Sequence, residues 1–499
     1  MRSPHRASDD GGNGSGGGPD AYVNICKVQD DDNGTPSCTQ SAPANSFDPD
    51  IQWAWAGNTQ NGETNSIVSA LVANLTDDNG DGAIDLCDTP DVVVVASTLS
   101  GSPDEPGHIY LLDGKTGNME LMIPTVIDGT VTPAIGDLDH DGVPEIVTVD
   151  PTGKLYAFHH DGSILFGPAG QWGGTTPAGT DPWYSAAIAL ADLDHDGEVE
   201  IIGGNTVWDS HGTVKWTAPV SEANWNATTA ADLDGDGYME VILGNAAYHY
   251  DGTLAWQTTL SPGYPQVANL DDDPQPEILL TNLDGLSVIE HDGTVKYSNL
   301  RPTGVASGFD AWLRPATVHD FDGNGKAEYA MSSADFYTEY NADGSIKWSA
   351  PVSDQSGIAA GTAFDFLGDG TAEAMYADET NMFVFDGSGH VIFQMPRSSG
   401  TLSEYPIVAD IDNDGSAEIV VVSNAYGTPS PTVQVIRDKQ DRWIQARRIW
   451  NEHAYHVTNV REDGTIPQFE KPSWQNLNTF RTNAQINGGQ ACAPPIERR

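Results

Sequence analysis

The chain has 499 residues, and its 72 acidic side chains against 22 basic ones give a net charge of −50. Charge of that sign and size excludes nucleic acid and anionic membrane surfaces as partners for the body of the molecule. No run of 18 apolar residues occurs, so no transmembrane helix is expected.

Residues 1–20, with the Gly/Ser run from Gly11 to Gly18, read as a disordered tether, a link to an anchor outside this chain. Residues 21–48 read as a small disulfide-stapled segment. The four cysteines, Cys26, Cys38, Cys87 and Cys492, include no C-x-x-C pair, so disulfides are expected rather than thiolate metal ligands. Of the three pairings, Cys26–Cys38, closing a local loop, and Cys87–Cys492, tying the tail to the first repeat, are expected. Ile51-Gln52-Trp53-Ala54-Trp55 looks like the last strand of a repeat whose first three strands lie elsewhere. It matches Ile346-Lys347-Trp348 further on.

From Asp77 a nine-residue acidic pattern recurs eight times, at intervals of 37 to 60 residues. Oxygen-bearing side chains stand at positions 1, 3, 5 and 9, with Gly normally at 6. The sets are Asp77, Asn79, Asp81 and Asp85, with Asp88 at the twelfth position as in an EF-hand; Asp137, Asp139, Asp141 and Glu145; Asp192, Asp194, Asp196 and Glu200; Asp232, Asp234, Asp236 and Glu240; Asn269, Asp271, Asp273 and Glu277; Asp320, Asp322, Asn324 and Glu328; Asp365, Asp369 and Glu373; and Asp410, Asp412, Asp414 and Glu418. A hard cation such as Ca²⁺ takes about six to eight oxygens, and such a loop supplies them from alternate side chains and a backbone carbonyl. Several structural Ca²⁺ ions are therefore expected. Pro274 in place of Gly should distort the fifth loop. Leu367 at position 3 should weaken or abolish binding in the seventh.

The flanks repeat too. A short strand of small and β-branched residues precedes each loop, as in Ala187-Ile188-Ala189-Leu190-Ala191. An apolar strand follows it, as in Glu418-Ile419-Val420-Val421-Val422. A third strand then turns at Asp-Gly or His-Gly into a fourth that ends on an aromatic, as in Gly212-Thr213-Val214-Lys215-Trp216, a strong hairpin signal. Four antiparallel strands repeated at this period make an all-β, β-propeller fold of four-stranded blades. Eight loops imply eight blades, or seven if the first or last unit is irregular. The fourth strand of the last blade is either Arg442-Trp443-Ile444-Gln445-Ala446 or the N-terminal strand.

On these motifs residues 49–450 resemble the FG-GAP/VCBS repeat family, which includes the propellers of integrin alpha subunits. The tail, 451–499, resembles the ending of bacterial secreted FG-GAP proteins and reads as a docked clasp. Its Glu452, His453 and His456 are expected to be hydrogen-bonded structure rather than a transition-metal site. Residues 437–499 carry 10 of the 22 Lys and Arg against 7 acids. The resemblance implies calcium loops on one face of the ring and ligand contacts on the other. No signal peptide is visible at the N-terminus, but loops of this type suit the calcium level outside cells. A monomer that is secreted or held at the cell surface, its signal removed or the start of the sequence misplaced, is expected.

The connections between the fourth strand of one blade and the first of the next carry Trp172, Trp183, Tyr184, Trp225, Tyr264, Arg301, Trp312, Arg314, Arg397, Glu404 and Tyr405. Converging near the axis, they would form a platform for sugar rings or peptide side chains. The alternative is that they pack on one another and plug the mouth. Two functions follow. One is a calcium-dependent recognition module for glycan or extracellular protein. The other, by resemblance to propeller-fold enzymes, is a polysaccharide lyase. The nucleophile elbow, the phosphate-cradling Gly-rich loop and H-E-x-x-H are all absent from the sequence, which favours recognition.

Overall fold

Small and β-branched residues fill the first two strands of each repeat, and these strands are buried almost throughout. Ile188–Ala191, Glu200–Gly203, Thr229–Ala231 and Glu240–Leu243 have every residue buried. Fourth strands such as Val214–Thr217 and Leu254–Gln257 are largely exposed. Each sheet thus runs from a crowded inner edge to an open rim. The computed structural model describes residues 26–28, 35–101, 105–172, 186–219, 227–271, 273–301, 314–356, 358–426 and 429–494.

Eight antiparallel sheets form eight blades, and the innermost strands of successive blades touch around the ring. Blades one to seven are each contiguous in the chain. Blade eight takes Ile407–Ala409, Glu418–Val422 and Val433–Asp438 from one end and Pro49–Trp55 from the other. Ile51 pairs with Ile436 and Trp55 with Val433. The N-terminal strand therefore holds the disputed slot. Residues 442–446 instead turn inward, where Ala446 pairs with Gln485.

The fourth-strand aromatics join blades. Trp216 Nε1 donates to the Tyr250 carbonyl and Trp256 Nε1 to the His291 carbonyl, both at 2.8 Å and both in the next blade's hairpin turn. Each ring lies over a turn glycine. A Cβ on Gly252 would meet Trp216 at 2.7 Å, and φ there is +82°. The Asp-Gly turn thus serves the hairpin and leaves room for the neighbour's indole.

The tail fills the axis. Trp450 pairs with Val72 of blade one, the Ile135 amide of blade two donates to the Asn451 carbonyl, and the Leu190 amide of blade three donates to Glu452 Oε2. Further along, Phe480 pairs with Val318 of blade six, and Asn483 reaches the Val408 carbonyl of blade eight.

The disulfides are Cys26–Cys87 and Cys38–Cys492, which corrects the expected pairing. The N-terminal segment does not curl on itself. The Leu86 amide donates to the Cys26 carbonyl, which seats Cys26 beside Cys87. Cys38 runs alongside the C-terminal hairpin, its amide donating to the Ala493 carbonyl.

Candidate functional site

All eight acidic loops join the first strand of a blade to its second, so they share one face of the ring. Backbone hydrogen bonds gather each set of carboxylates. In seven loops the position-6 amide donates to the position-1 carboxylate, from Gly142 to Asp137 at 3.2 Å through Gly325 to Asp320 at 2.7 Å. The glycines there have φ between +84° and +95°, which L side chains rarely adopt. In seven loops one oxygen of the position-9 Glu accepts the position-2 amide. Leu138 donates to Glu145 at 2.8 Å and Ile411 to Glu418 at 3.0 Å. One oxygen of these carboxylates is thus used in holding the loop, and the others are left to converge. Oxygens of Asp137, Asp139 and Asp141 come within 4.8 Å of one another.

The converging oxygens are poorly balanced in places. Asp137 Oδ1, Asp192 Oδ1, Asp412 Oδ1 and Glu418 Oε1 are buried without a hydrogen-bond partner, in residues at most 8 % exposed. Burial, with the neighbouring carboxylates adding to it, holds Asp410 and Glu418 well above the usual carboxylate range and raises Asp414 to about 6. Burial likewise pushes Glu200 and Glu328 to about 7. Every donor is an oxygen of an acid, an amide or a carbonyl, and in loop eight no ion pair among the described residues balances them. The set fits a hard divalent cation.

Loops one, five and seven differ. Asp88 spends both oxygens on the amides of Asn79 and Asp85, so it shapes loop one. In the fifth loop Pro274 supplies no amide, and Asn269 Nδ2 closes the turn on the Asp273 carbonyl instead. In the seventh, the Leu367 carbonyl accepts the Ala42 amide, so this loop also seats the N-terminal segment.

Five side chains missed in the sequence reading complete these sites. Lys215 Nζ lies 3.1 Å from Asp194 and 2.7 Å from Glu200. Lys296 lies 2.5 Å from Asp271, 2.8 Å from Glu277 and 3.0 Å from Glu290. Lys347 lies 2.7 Å from Asp322 and 3.2 Å from Glu339. His159 and His249 sit 3.1 and 2.9 Å from Glu145 and Glu240. The signal was present. Lys215, Lys296 and Lys347 each stand just before the fourth-strand aromatic, and period-2 alternation puts them on the face opposite it.

The connections on the other face do not form the expected platform among the described residues. Trp172 is fully buried, edge-on to Trp208 at 5.9 Å. Tyr264 and Tyr405 are buried at the axis against His453. Arg314 pairs with Asp354 at 3.2 Å and Arg397 with Glu404 at 2.9 Å, all four side chains 0–1 % exposed. Arg301 is exposed, but donates to the Leu283 and Asp284 carbonyls. Burial makes these residues packing and ion-pair elements, which is the alternative weighed above. Trp183, Tyr184, Trp225 and Trp312 lie outside the described residues. A cleft of about 1000 Å³ opens on the loop face instead, between the first two loops, residues 26–28 and 35–36 and the tail, with Lys27, Asp85, Arg461 and Lys471 in its lining.

Residues 137–203 match the model of an FG-GAP-like repeat and residues 224–255 that of an FG-GAP repeat. No curated protein sequence matches the chain. Among solved structures, the V. cholerae biofilm matrix protein Bap1 superposes with a TM-score of 0.77 at 21% identity, over 90% of this chain and 100% of that one. The exotype rhamnogalacturonan lyase YesX gives 0.55 at 17% identity, over 91% and 83%. A Bacillus licheniformis rhamnogalacturonan lyase gives 0.51 at 17%, over 90% and 82%.

Proposed function

We propose that this FG-GAP repeat β-propeller protein is an extracellular, calcium-loaded recognition module that binds a glycan or a protein outside the cell. The observation that carries the cation is the set of buried carboxylate oxygens with no partner, at Asp137, Asp192, Asp412 and Glu418. Leaving such groups unpaired is costly, and a divalent ion answers several at once. The ions would be held by the loop residues at positions 1, 3, 5 and 9. Bound there, Ca²⁺ supplies charge neutralisation, while the chain's own amides set the loop shape.

Two disulfides suit an oxidising compartment, and the likeness to a biofilm matrix protein supports an adhesive role. We assign ligand contact to the loop-face cleft. Its size falls in the range of ligand sites, and it gathers Lys27, Arg461 and Lys471 in a strongly acidic molecule. The lyase reading is the weaker one. The lyases superpose less well, and Arg314 and Arg397, which would face a substrate carboxylate, are committed to buried ion pairs.

The test is a glycan and matrix-protein array probed with wild type and Arg461→Ala, with Ca²⁺ or EDTA, beside an absorbance assay on pectic polysaccharide. Binding that needs Ca²⁺ and Arg461 supports the reading. Release of unsaturated uronate would replace it with the lyase.

A further inference from the structure

Blades two to six answer their loop acids in two ways. In blades three, five and six a fourth-strand lysine reaches the position-3 and position-9 acids. In blades two and four the matching residues are Leu165 and Ala255, next to the aromatics Phe166 and Trp256 that pair with the third strand. There a histidine directly after the third strand, His159 or His249, meets the position-9 acid instead. Blades three, five and six carry Asp209, Glu290 and Asn341 at that point. Among these five blades the histidine stands only where the lysine is missing.

The exchange is chemically unequal. An ammonium has three N–H donors and no lone pair, so it balances charge and keeps a metal out. A neutral imidazole has a lone pair and is the commonest metal-binding side chain. His159 Nδ1 lies 3.1 Å from Glu145 Oε1, and His249 Nδ1 lies 2.9 Å from Glu240 Oε1. One ligand atom each from Asp139, Glu145 and His159 falls within 4.8 Å of the other two, and Asp234, Glu240 and His249 repeat the cluster. Two ligands at right angles on an ion with bonds of about 2.1 Å stand about 3.0 Å apart, which matches the spacing from nitrogen to carboxylate.

The chain itself holds these atoms in place. Glu145 Oε2 accepts the Leu138 amide at 2.8 Å, Asp139 Oδ1 accepts the Asp141 amide at 3.1 Å, and the His159 amide donates to the Ser163 carbonyl at 2.9 Å. Blade four has the same three bonds at 2.9, 3.0 and 2.9 Å. The imidazoles are 28 and 37 % exposed and the glutamates beneath them 1 and 2 %, so an ion can arrive from solvent onto a buried acid. In blade two Asp139 also clusters with Asp137 and Asp141, and Asp137, 6 % exposed, has Oδ1 unpartnered.

We propose that blades two and four each bind a borderline divalent cation of the Zn²⁺ class, one through Asp139, Glu145 and His159 and the other through Asp234, Glu240 and His249. A nitrogen beside two carboxylates suits such an ion, whereas Ca²⁺ takes oxygen. The ion takes the place of the proton between Nδ1 and Oε1, and the ring keeps its proton on Nε2. The assignment does not rest on calcium in the loops.

Equilibrium dialysis of the full, EDTA-stripped chain against Zn²⁺, with and without a large excess of Ca²⁺, tests this. In excess Ca²⁺ about two Zn²⁺ ions should bind per chain, with one lost in His159→Gln, one in His249→Gln and both in the double variant. Glutamine still offers the glutamate a donor, and both positions are partly exposed, so the variants should fold. The same difference between wild type and double variant should appear without Ca²⁺, which keeps the result separate from the calcium reading. Co²⁺ gives a second readout, a visible ligand-field band in the wild type that the double variant lacks. Loss in one single variant alone keeps the assignment for that blade and removes it for the other. No uptake in excess Ca²⁺, or equal uptake by wild type and double variant, would overturn it.

Discussion

Loop eight and loop five gather their carboxylates with the same position-9 contact, and they balance the resulting charge differently. In loop five Lys296 reaches across from the fourth strand to Asp271, Glu277 and Glu290. In loop eight the matching position on the closing strand is Gln52, which gives Asp412 a neutral donor at 2.8 Å, and Gln445 does the same for Asp410 at 2.9 Å. Glu418, fully buried, keeps one oxygen unpartnered. Loops three and six follow loop five with Lys215 and Lys347. Some blades therefore place a lysine among their loop acids, while on the proposed calcium reading loop eight would depend wholly on an ion from solution. Dependence on an added ion should be uneven around the ring and strongest where the closing strand locks the circle.

The largest expected effect is chelation. An occupied loop at a thousandfold excess of ion over its dissociation constant contributes about 4 kcal/mol. EDTA should lower the melting temperature steeply, with hydrogen exchange rising first in blade eight and later in blades three, five and six. An unchanged melting curve would remove structural calcium, and uniform exchange would break the comparison.

Next in size is Lys296→Met. It leaves Glu277, 0 % exposed, without its partner, and breaking a buried pair costs about 3 kcal/mol. In saturating Ca²⁺ the loss should shrink, because the vacated position accepts an ion, and atomic-emission stoichiometry should rise by one. No rise would mean that the lysine adds to an ion already bound.

Glu418→Gln acts in opposite directions in the two conditions. It should destabilise the calcium-loaded protein and stabilise the chelated one, since it removes one of four crowded acids. Melting curves with and without EDTA test the crossing.

The last effect, the smallest when read over one pH unit, comes from an acid outside the loops, which serves as a reference. Burial raises Glu452 to about 8, against an ordinary value near 4.5. Between these two values the folded chain binds the extra proton, so stability falls as pH rises from about 4.5 to about 8 and then levels. Glu452→Gln should flatten that slope, by up to about 1.4 kcal/mol per pH unit, with Ca²⁺ present or absent. A slope unchanged in the variant would assign the pH dependence to other groups.

The ring was legible because its signals are local. Asp-x-Asp-x-Asp-Gly or a close variant of it marks each first turn, and likeness to Ile346–Trp348 identified residues 51–55 as the closing strand. Disulfide pairing was not legible, because it depends on where two distant segments meet, and Cys38 pairs across 454 residues. Arg314, Arg397 and Tyr405 misled for a related reason. An aromatic or arginine before a first strand looks the same whether it faces a ligand or a buried acid, and Asp354 and Glu404 carry no motif. The lysines were given no role in the sequence reading, although their face of the strand already implied the acidic loop.

The shared last blade also sets a timetable for synthesis. Pro49 pairs with Asp438, so the earliest strand to leave the ribosome waits, unmatched, for nearly the whole ring to be translated. Until then the first and eighth blades both present bare edges, and bare edges invite pairing with other chains. A nascent copy therefore holds its closing strand unmatched for most of this stretch of synthesis, and closure can only follow residues 433–438.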